Sequence, residues 1–142
     1  MDIEKRDFNA IIKAIQENDS RYSSGAYYFL REALDYTIKD SFNTETSSKL
    51  SQHITGQELL EGIKQYALER YGPMAFELFK IWGINNCKDF GNIVFNLVDC
   101  QVLGKNESDS PKDFEKGYNF KKTFQDPFVP EKGVILKKPR LY

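Results

Sequence analysis

The chain carries few of the side chains that enzymatic catalysis usually needs. His53 is its one histidine, so a Ser-His-Asp or Cys-His site would have to be built around that residue. It stands just before a predicted helix, and no nucleophile or orienting carboxylate is marked out by spacing, which favours a surface or capping role. The 21 acidic residues leave acid–base chemistry by paired carboxylates open, because the sequence does not show which of them converge.

The two cysteines, Cys87 and Cys100, are 13 positions apart. On one helix, at about 100° per residue, they would lie on different faces, which predicts buried free thiols rather than a disulfide or a metal pair. We therefore expect no metal site and no cofactor, and we identify no candidate catalytic residue. These observations weigh against an enzyme.

One short motif invites a kinase interpretation. Asp89-Phe90-Gly91 is the tripeptide that holds magnesium in protein kinases, but the Gly-rich loop, the strand lysine and the His-Arg-Asp loop that accompany it there are missing. We expect Asp89 to help cap a helix and Phe90 to lie in the core.

The composition is that of one globular domain. The 142 residues include 40% hydrophobic and 29% charged side chains, with a formal net charge of −1. These values exclude collagen-like, coiled-coil and globally disordered classes, and no apolar run approaches the roughly 18 residues of a membrane span. Residues 1–7 alternate in charge sign and lack the apolar stretch of a secretory signal, which predicts a cytoplasmic protein that does not enter a membrane.

Apolar spacing predicts a mainly α domain of about five helices at residues 1–104. The i, i+3, i+4, i+7 pattern recurs in five segments, with a Ser- and Thr-rich loop at 43–52 between the second and third. Thr55-Gly56-Gln57-Glu58 has the form of a capping box, and Gly72-Pro73 ends the helix that it begins. The predicted first residues or caps of the five helices are Phe8, Ser23 or Ser24, Thr55, Pro73, and Asn85 or Asn86.

Residues 105–142 form a C-terminal arm of different character. Pro127, Pro130 and Pro139 forbid a long helix there, so an irregular or extended path is expected, and 134–136 could add one edge strand. The arm holds 9 basic and 6 acidic residues, whereas residues 1–104 hold 11 and 15. We expect the arm to pack on the domain or on a partner, and its basic charge to face the acidic body rather than phosphates.

Aromatic residues make up 14% of the chain, and most of them fit a core stripe. Those that do not fit one are candidates for a contact surface with a protein partner or a second copy, together with the basic cluster near the C-terminus. The candidate interaction surface consists of Tyr28, Phe95, Phe120, Phe124, Phe128, Lys137, Lys138 and Arg140.

The segment 73–99, a helix, a glycine-containing turn and a second helix, also fits a helix-turn-helix reader of DNA. The residues expected on the outside of the second helix are Lys88, Asp89, Asn92, Asn96 and Asp99. Only one of these residues is a cation, whereas a helix that contacts phosphates normally carries several. An antiparallel hairpin within a bundle is therefore favoured, and nucleic-acid binding is disfavoured.

Several stretches together form a specific pattern. They are Arg21-Tyr22 with Ala26-Tyr27, His53 to Gly62, Tyr66-Ala67-Leu68, Tyr71-Gly72-Pro73, Trp82-Gly83-Ile84, Asp89-Phe90-Gly91, Ile93 to Val98, and Asp113-Phe114 before Tyr118. The pattern resembles an uncharacterised bacterial family found mainly in Planctomycetes and Verrucomicrobia, over roughly residues 21–120. No activity is known for that family, so the resemblance implies no functional residue.

Three functional hypotheses follow from the sequence. The first is a non-enzymatic cytoplasmic module that recognises another protein, or itself, through exposed aromatics and the arm. The second is a nucleic-acid-binding protein that uses the 73–99 hairpin and the basic tail. The third is a small enzyme that uses carboxylates in a helical cleft.

Overall fold

The computed structural model describes residues 5–42, 55–100, 114–115 and 117–128. Within these ranges the chain forms five α-helices and no strand, which confirms the mainly α prediction. The helices are α1 (Lys5–Asn18), α2 (Ser24–Phe42), α3 (Gly56–Tyr71), α4 (Ala75–Trp82) and α5 (Cys87–Asp99). The loop expected at 43–52 and the strand considered at 134–136 lie outside the described residues.

The start of α3 is the capping box that the sequence predicts. The Glu58 backbone N–H donates to Thr55 Oγ1 at 3.0 Å, and the Thr55 N–H donates to the Glu58 carboxylate at 3.0 Å. A second capping box begins α5, where Asn86 is the N-cap and Asp89 is its reciprocal partner. Two otherwise orphaned backbone donors are satisfied in each case, so both helix starts are fixed locally.

Two glycines permit close approaches between elements. A side chain on Gly62 of α3 would collide with Thr37 of α2, whose hydroxyl donates to the Ala33 carbonyl at 2.7 Å and is thereby held in place. Gly83 ends α4 in the left-handed conformation (φ 92°), and a Cβ there would collide with the Arg21 carbonyl. These contacts set α2 against α3 and place the end of α4 on the turn between α1 and α2.

The core is unusually aromatic. Phe29 of α2, which is 1% exposed, has ring contacts with residues of three other helices, all with centroids within 6.4 Å: Tyr66, Tyr71, Phe79, Trp82 and Phe90. Phe79 of α4 is fully buried and continues this cluster toward the end of the chain. Tilted and edge-on rings at such distances gain about 0.5–1.5 kcal/mol per pair beyond the area that they bury.

The C-terminal segment, which we define as residues 117–128, completes that core. It contains a π-helical turn (Lys121–Gln125) followed by a 3-10 turn (Asp126–Phe128). Phe124 is fully buried with its centroid 5.1 Å from that of Phe79, and the Tyr118 hydroxyl donates to the Leu60 carbonyl at 2.7 Å. The described part of the arm is therefore built into the helical domain.

No helix among the described residues is both long enough and apolar enough to cross a membrane.

Replacing Phe124 by Ala should lower the free energy of unfolding by about 3–5 kcal/mol, because it leaves a large cavity beside Phe79. Phe128 lies four residues later and is 42% exposed, so Phe128→Ala is the matched control and should cost less than about 1 kcal/mol. Urea denaturation followed by circular dichroism measures both. Equal losses of unfolding free energy for the two variants would contradict the packing of the C-terminal segment into the core.

The thiols should differ in reactivity. Burial raises the pKa of Cys87 to about 11, and Gly117 and Tyr118 cover its sulfur, whereas Cys100 is exposed. In the native protein at pH 8, Cys87 should react with Ellman's reagent at least about a hundredfold more slowly than Cys100. The variants Cys100→Ala and Cys87→Ala assign the two phases, and two equally fast thiols would show that the segment does not cover Cys87.

Candidate interaction surface

Two of the aromatics assigned to a contact surface from the sequence are half-buried. Tyr28 packs edge-on against Phe8 with centroids 5.1 Å apart, and its hydroxyl is buried without a hydrogen-bond partner among the described residues. Phe95 meets Phe114 at 6.4 Å with the ring planes at 89°. Both rings therefore use one side for internal packing.

The structure corrects the assignment of Phe120 and Phe124. These rings are 7% and 0% exposed: both contact Phe79 of α4, and Phe120 also contacts Phe90 of α5. Neither is available to a partner. Phe128 is exposed, as expected, and Lys137, Lys138 and Arg140 lie outside the described residues.

The most exposed large apolar side chains of the described residues lie on α4 and at its N-cap. Met74, the N-cap of α4 and the last residue of the 3-10 turn before it, is 61% exposed, and Ile81 of α4 is 72% exposed. Seven helical residues fall within about 20° of two full turns, so these side chains lie on one line along the helix. Leu78 is half-buried between them, and the three residues define what we call the outward face of α4.

Phe128 is the third exposed large apolar side chain of the described residues. The π-helical turn of the C-terminal segment contacts α4 and also the 3-10 turn that carries Met74, and Phe128 ends the short 3-10 turn that follows it. Exposed apolar side chains scattered singly are ordinary, but Met74 and Ile81, with Leu78 between them, lie along one side of α4, which is typical of a contact surface.

Two opposite charges border the outward face. Measured around the helix from the line through Met74 and Ile81, Glu77 lies at about 60° and Lys80 at about 120° in the same direction. Neither forms an ion pair with another described residue. The Lys80 ammonium lies 4.9 Å from the centroid of the Phe76 ring on its own helix.

Sequence reasoning missed Met74 and Ile81. The predicted stripe of Ala75, Leu78, Phe79 and Trp82 explains α4 as an ordinary amphipathic helix. The structure buries Ala75 and Phe79 and packs Trp82 against the core, but it places the half-buried Leu78 on the outward face. The signal that could have found the outward face is a second apolar line, i and i+7, about 115° around the helix from the first.

A polar cluster on α5 is the second candidate site. Tyr22 donates from its hydroxyl to Asp89 Oδ1 at 2.5 Å and accepts from Asn92 Nδ2 at 2.9 Å. The other Asp89 oxygen accepts backbone N–H bonds from Asn85 and Asn86 at 2.8 and 3.3 Å. Burial, followed by the bond to Asp89, raises the pKa of Tyr22 well above its usual value.

Asp19 anchors the other end of this cluster. It accepts from the Arg21 guanidinium at 2.7 and 2.8 Å and from Asn96 Nδ2 at 3.0 Å. The bond from Arg21 holds the pKa of Asp19 well below its usual range. Asn96 also donates to the Tyr27 hydroxyl at 3.1 Å, so α5 is tied to both α2 and the turn before it.

These contacts correct the expectation for the second helix of the 73–99 hairpin. Asp89, Asn92 and Asn96 were expected to face outward, yet each hydrogen-bonds to residues of the α1–α2 region. The α1–α2 turn supplies the buried hydroxyls and the carboxylate that these side chains need, and sequence spacing does not show that turn. The carboxylates of Asp19 and Asp89 already accept hydrogen bonds within the protein. The cluster therefore holds α5 against the α1–α2 region, and we call it the polar clamp.

Within the described ranges, no three His, Cys, Asp or Glu side chains come together as metal ligands.

Comparisons with known proteins return no relative. No family model matches the chain, and neither the search of curated proteins nor the search of solved structures finds a match.

A double-mutant cycle on Tyr22→Phe and Asp89→Asn measures the clamp. Each change leaves a polar partner unsatisfied, so we expect the two losses in unfolding free energy to be coupled by about 1–2 kcal/mol. Tyr36→Phe, which removes an exposed hydroxyl bond to Glu69, combined with Asp89→Asn is the distant control and should be additive. Additivity in the first cycle would show that the Tyr22–Asp89 bond contributes nothing to stability.

Proposed function

We propose that this chain is a protein-interaction module and that its contact surface is the outward face of α4. The observation that supports this is the exposure of Met74, at the N-cap of α4, and of Ile81 along one line of the helix, while Ala75 and Phe79 of α4 lie in the core. Covering three large side chains removes apolar area from water, which favours association by about 25 cal/mol for each Å² buried.

The charges specify the chemistry of the partner. Glu77 and Lys80 stand on the same side of the apolar line and have opposite signs. A fitting partner is a folded protein surface with an apolar centre and both an anion and a cation along one edge. A uniformly acidic or basic partner would meet one like charge at this edge, which is unfavourable.

The described structure gives the two alternative functions less support. On α5, Lys88 and Asp99 are exposed while the amides of Asn92 and Asn96 are used internally, which is weak chemistry for a DNA-reading helix. Asp19 and Asp89 are engaged in structural hydrogen bonds rather than aimed at a substrate. The cytoplasmic location and the resemblance to the bacterial family stay predictions.

Site-specific photo-cross-linking tests the proposal. A photoreactive residue at Leu78 should give adducts of defined mass in an extract of the source cells, and the partner is identified by mass spectrometry. Introducing Ile81→Lys should reduce those adducts at least about tenfold, because binding would bury an unpaired ammonium group.

Ala14→Lys is the matched control, since it also places a lysine on an exposed helix position, on α1. It should leave the adducts unchanged. The proposal fails if Ile81→Lys and Ala14→Lys give the same adducts in the same yield, or if the photoreactive residue gives the same products when it is placed at position 14.

A further inference from the structure

The C-terminal segment is held in shape by contacts of its own. The Lys122 N–H donates to Asn119 Oδ1 and the Thr123 N–H donates to the Asn119 carbonyl, both at 2.9 Å. The Lys121 ammonium lies 3.0 Å from Asp126 Oδ1. These bonds close the π-helical turn with groups that all belong to the segment.

The aromatic side chains of the segment also pack on one another. Each of the rings of Tyr118, Phe120 and Phe124 contacts the other two, with centroids 5.2–6.3 Å apart. Phe120 and Phe124 then contact Phe79, and Phe120 also contacts Phe90. The segment therefore offers the helices one aromatic cluster rather than three rings that insert separately.

The helices receive that cluster in a groove, which we define by one residue of α3, one of α4 and two of α5: Leu60, Phe79, Cys87 and Phe90. Among the described residues, Tyr118 makes the hydrogen bonds between segment and groove. Its hydroxyl donates to the Leu60 carbonyl at 2.7 Å, and its carbonyl accepts from Cys87 Sγ at 3.6 Å. Apolar anchors at i and i+4 on a helical turn, as in Phe120 and Phe124, are the pattern with which short helical peptides occupy grooves.

We infer that this groove is a peptide-docking site and that the C-terminal segment is its tethered occupant, which leaves and returns as one unit while the five helices stay folded. Small structural units of a native protein commonly open separately from the whole. The groove should accept, from another chain, a short helical peptide with a tyrosine followed by aromatics two and six positions later. This inference does not depend on the outward face of α4.

The thiol of Cys87 reports release of the segment. Cys87 is 3% exposed, and Gly117 lies so close to its sulfur that a Cβ on that glycine would collide with it. A reagent therefore has no room at the sulfur while the segment is docked. The rate at which iodoacetamide alkylates Cys87 then measures how often the segment is released, in a full chain that carries Cys100→Ala.

Two variants of similar cost distinguish release from unfolding of the whole domain. Tyr118→Phe removes the bond to the Leu60 carbonyl and should speed alkylation about fivefold. Ile12→Val is the control, since Ile12 is 1% exposed on α1, which packs on α2. It should lower the unfolding free energy measured in urea but change the alkylation rate by less than about twofold. If alkylation of both variants follows the unfolding free energy, Cys87 is reached only through global unfolding and the inference is wrong.

A peptide added in trans tests the groove. The recipient is the full chain with Cys100→Ala and Phe124→Ala, whose own segment has lost one anchor and should expose Cys87 at least about a hundredfold more often. The probe is the acetylated and amidated peptide of residues 117–128, at up to about millimolar concentration. It should slow the alkylation of Cys87 at least about tenfold, because it brings an intact aromatic cluster to the groove.

The matched control is the same peptide with Phe120→Ala and Phe124→Ala, which should give no protection. If the unmodified peptide protects Cys87 no better than this control, the groove is not a docking site and the inference is overturned. The chain with Tyr118→Phe, which keeps every ring, replaces the recipient if Phe124→Ala does not retain the wild-type circular dichroism spectrum.

Discussion

The contact between the rings of Phe29 and Phe79 is the constraint on which the remaining structure depends. Their centroids are 5.3 Å apart and nearly edge-on, and aromatic residues of α3, α5 and the C-terminal segment pack against one or both of them. Phe29 receives the aromatics of α3 and α5, while Phe79 receives those of the C-terminal segment. Because aromatic rings prefer specific tilts as well as close distance, this pair fixes the orientation of α2 relative to α4.

The polar clamp on α5 follows from that packing. With Phe90 turned toward Phe29 and Phe79, Asp89, Asn92 and Asn96 point toward the α1–α2 turn and the start of α2. Asp19 and Tyr22 of the turn and Tyr27 of α2 supply complementary groups there. A buried hydroxyl without such a partner is costly, so the clamp favours one rotational setting of α5 over others. Residues that look like a recognition surface on the isolated helix are thereby used for folding.

The outward face of α4 also follows from the packing of Phe79 in the core. The helix is eight residues long, and its inward line is already occupied by Ala75 and Phe79. Met74 and Ile81 cannot enter the core without turning Phe79 out of it, so they face water in the single chain. The exposure that supports a contact surface is thus a consequence of the strongest packing in the molecule.

The sequence by itself determined the local features. Thr55 with Glu58, and Asn86 with Asp89, fix the starts of two helices because donor and acceptor are three residues apart. The left-handed Gly83 ends α4 for an equally local reason. Tertiary structure alone decided that Phe120 and Phe124 are core residues, that Asn92 and Asn96 face inward, and that Met74 and Ile81 face outward. Periodicity gives the angles between side chains on one helix, but the neighbours that bury one line and leave another exposed come from distant parts of the chain.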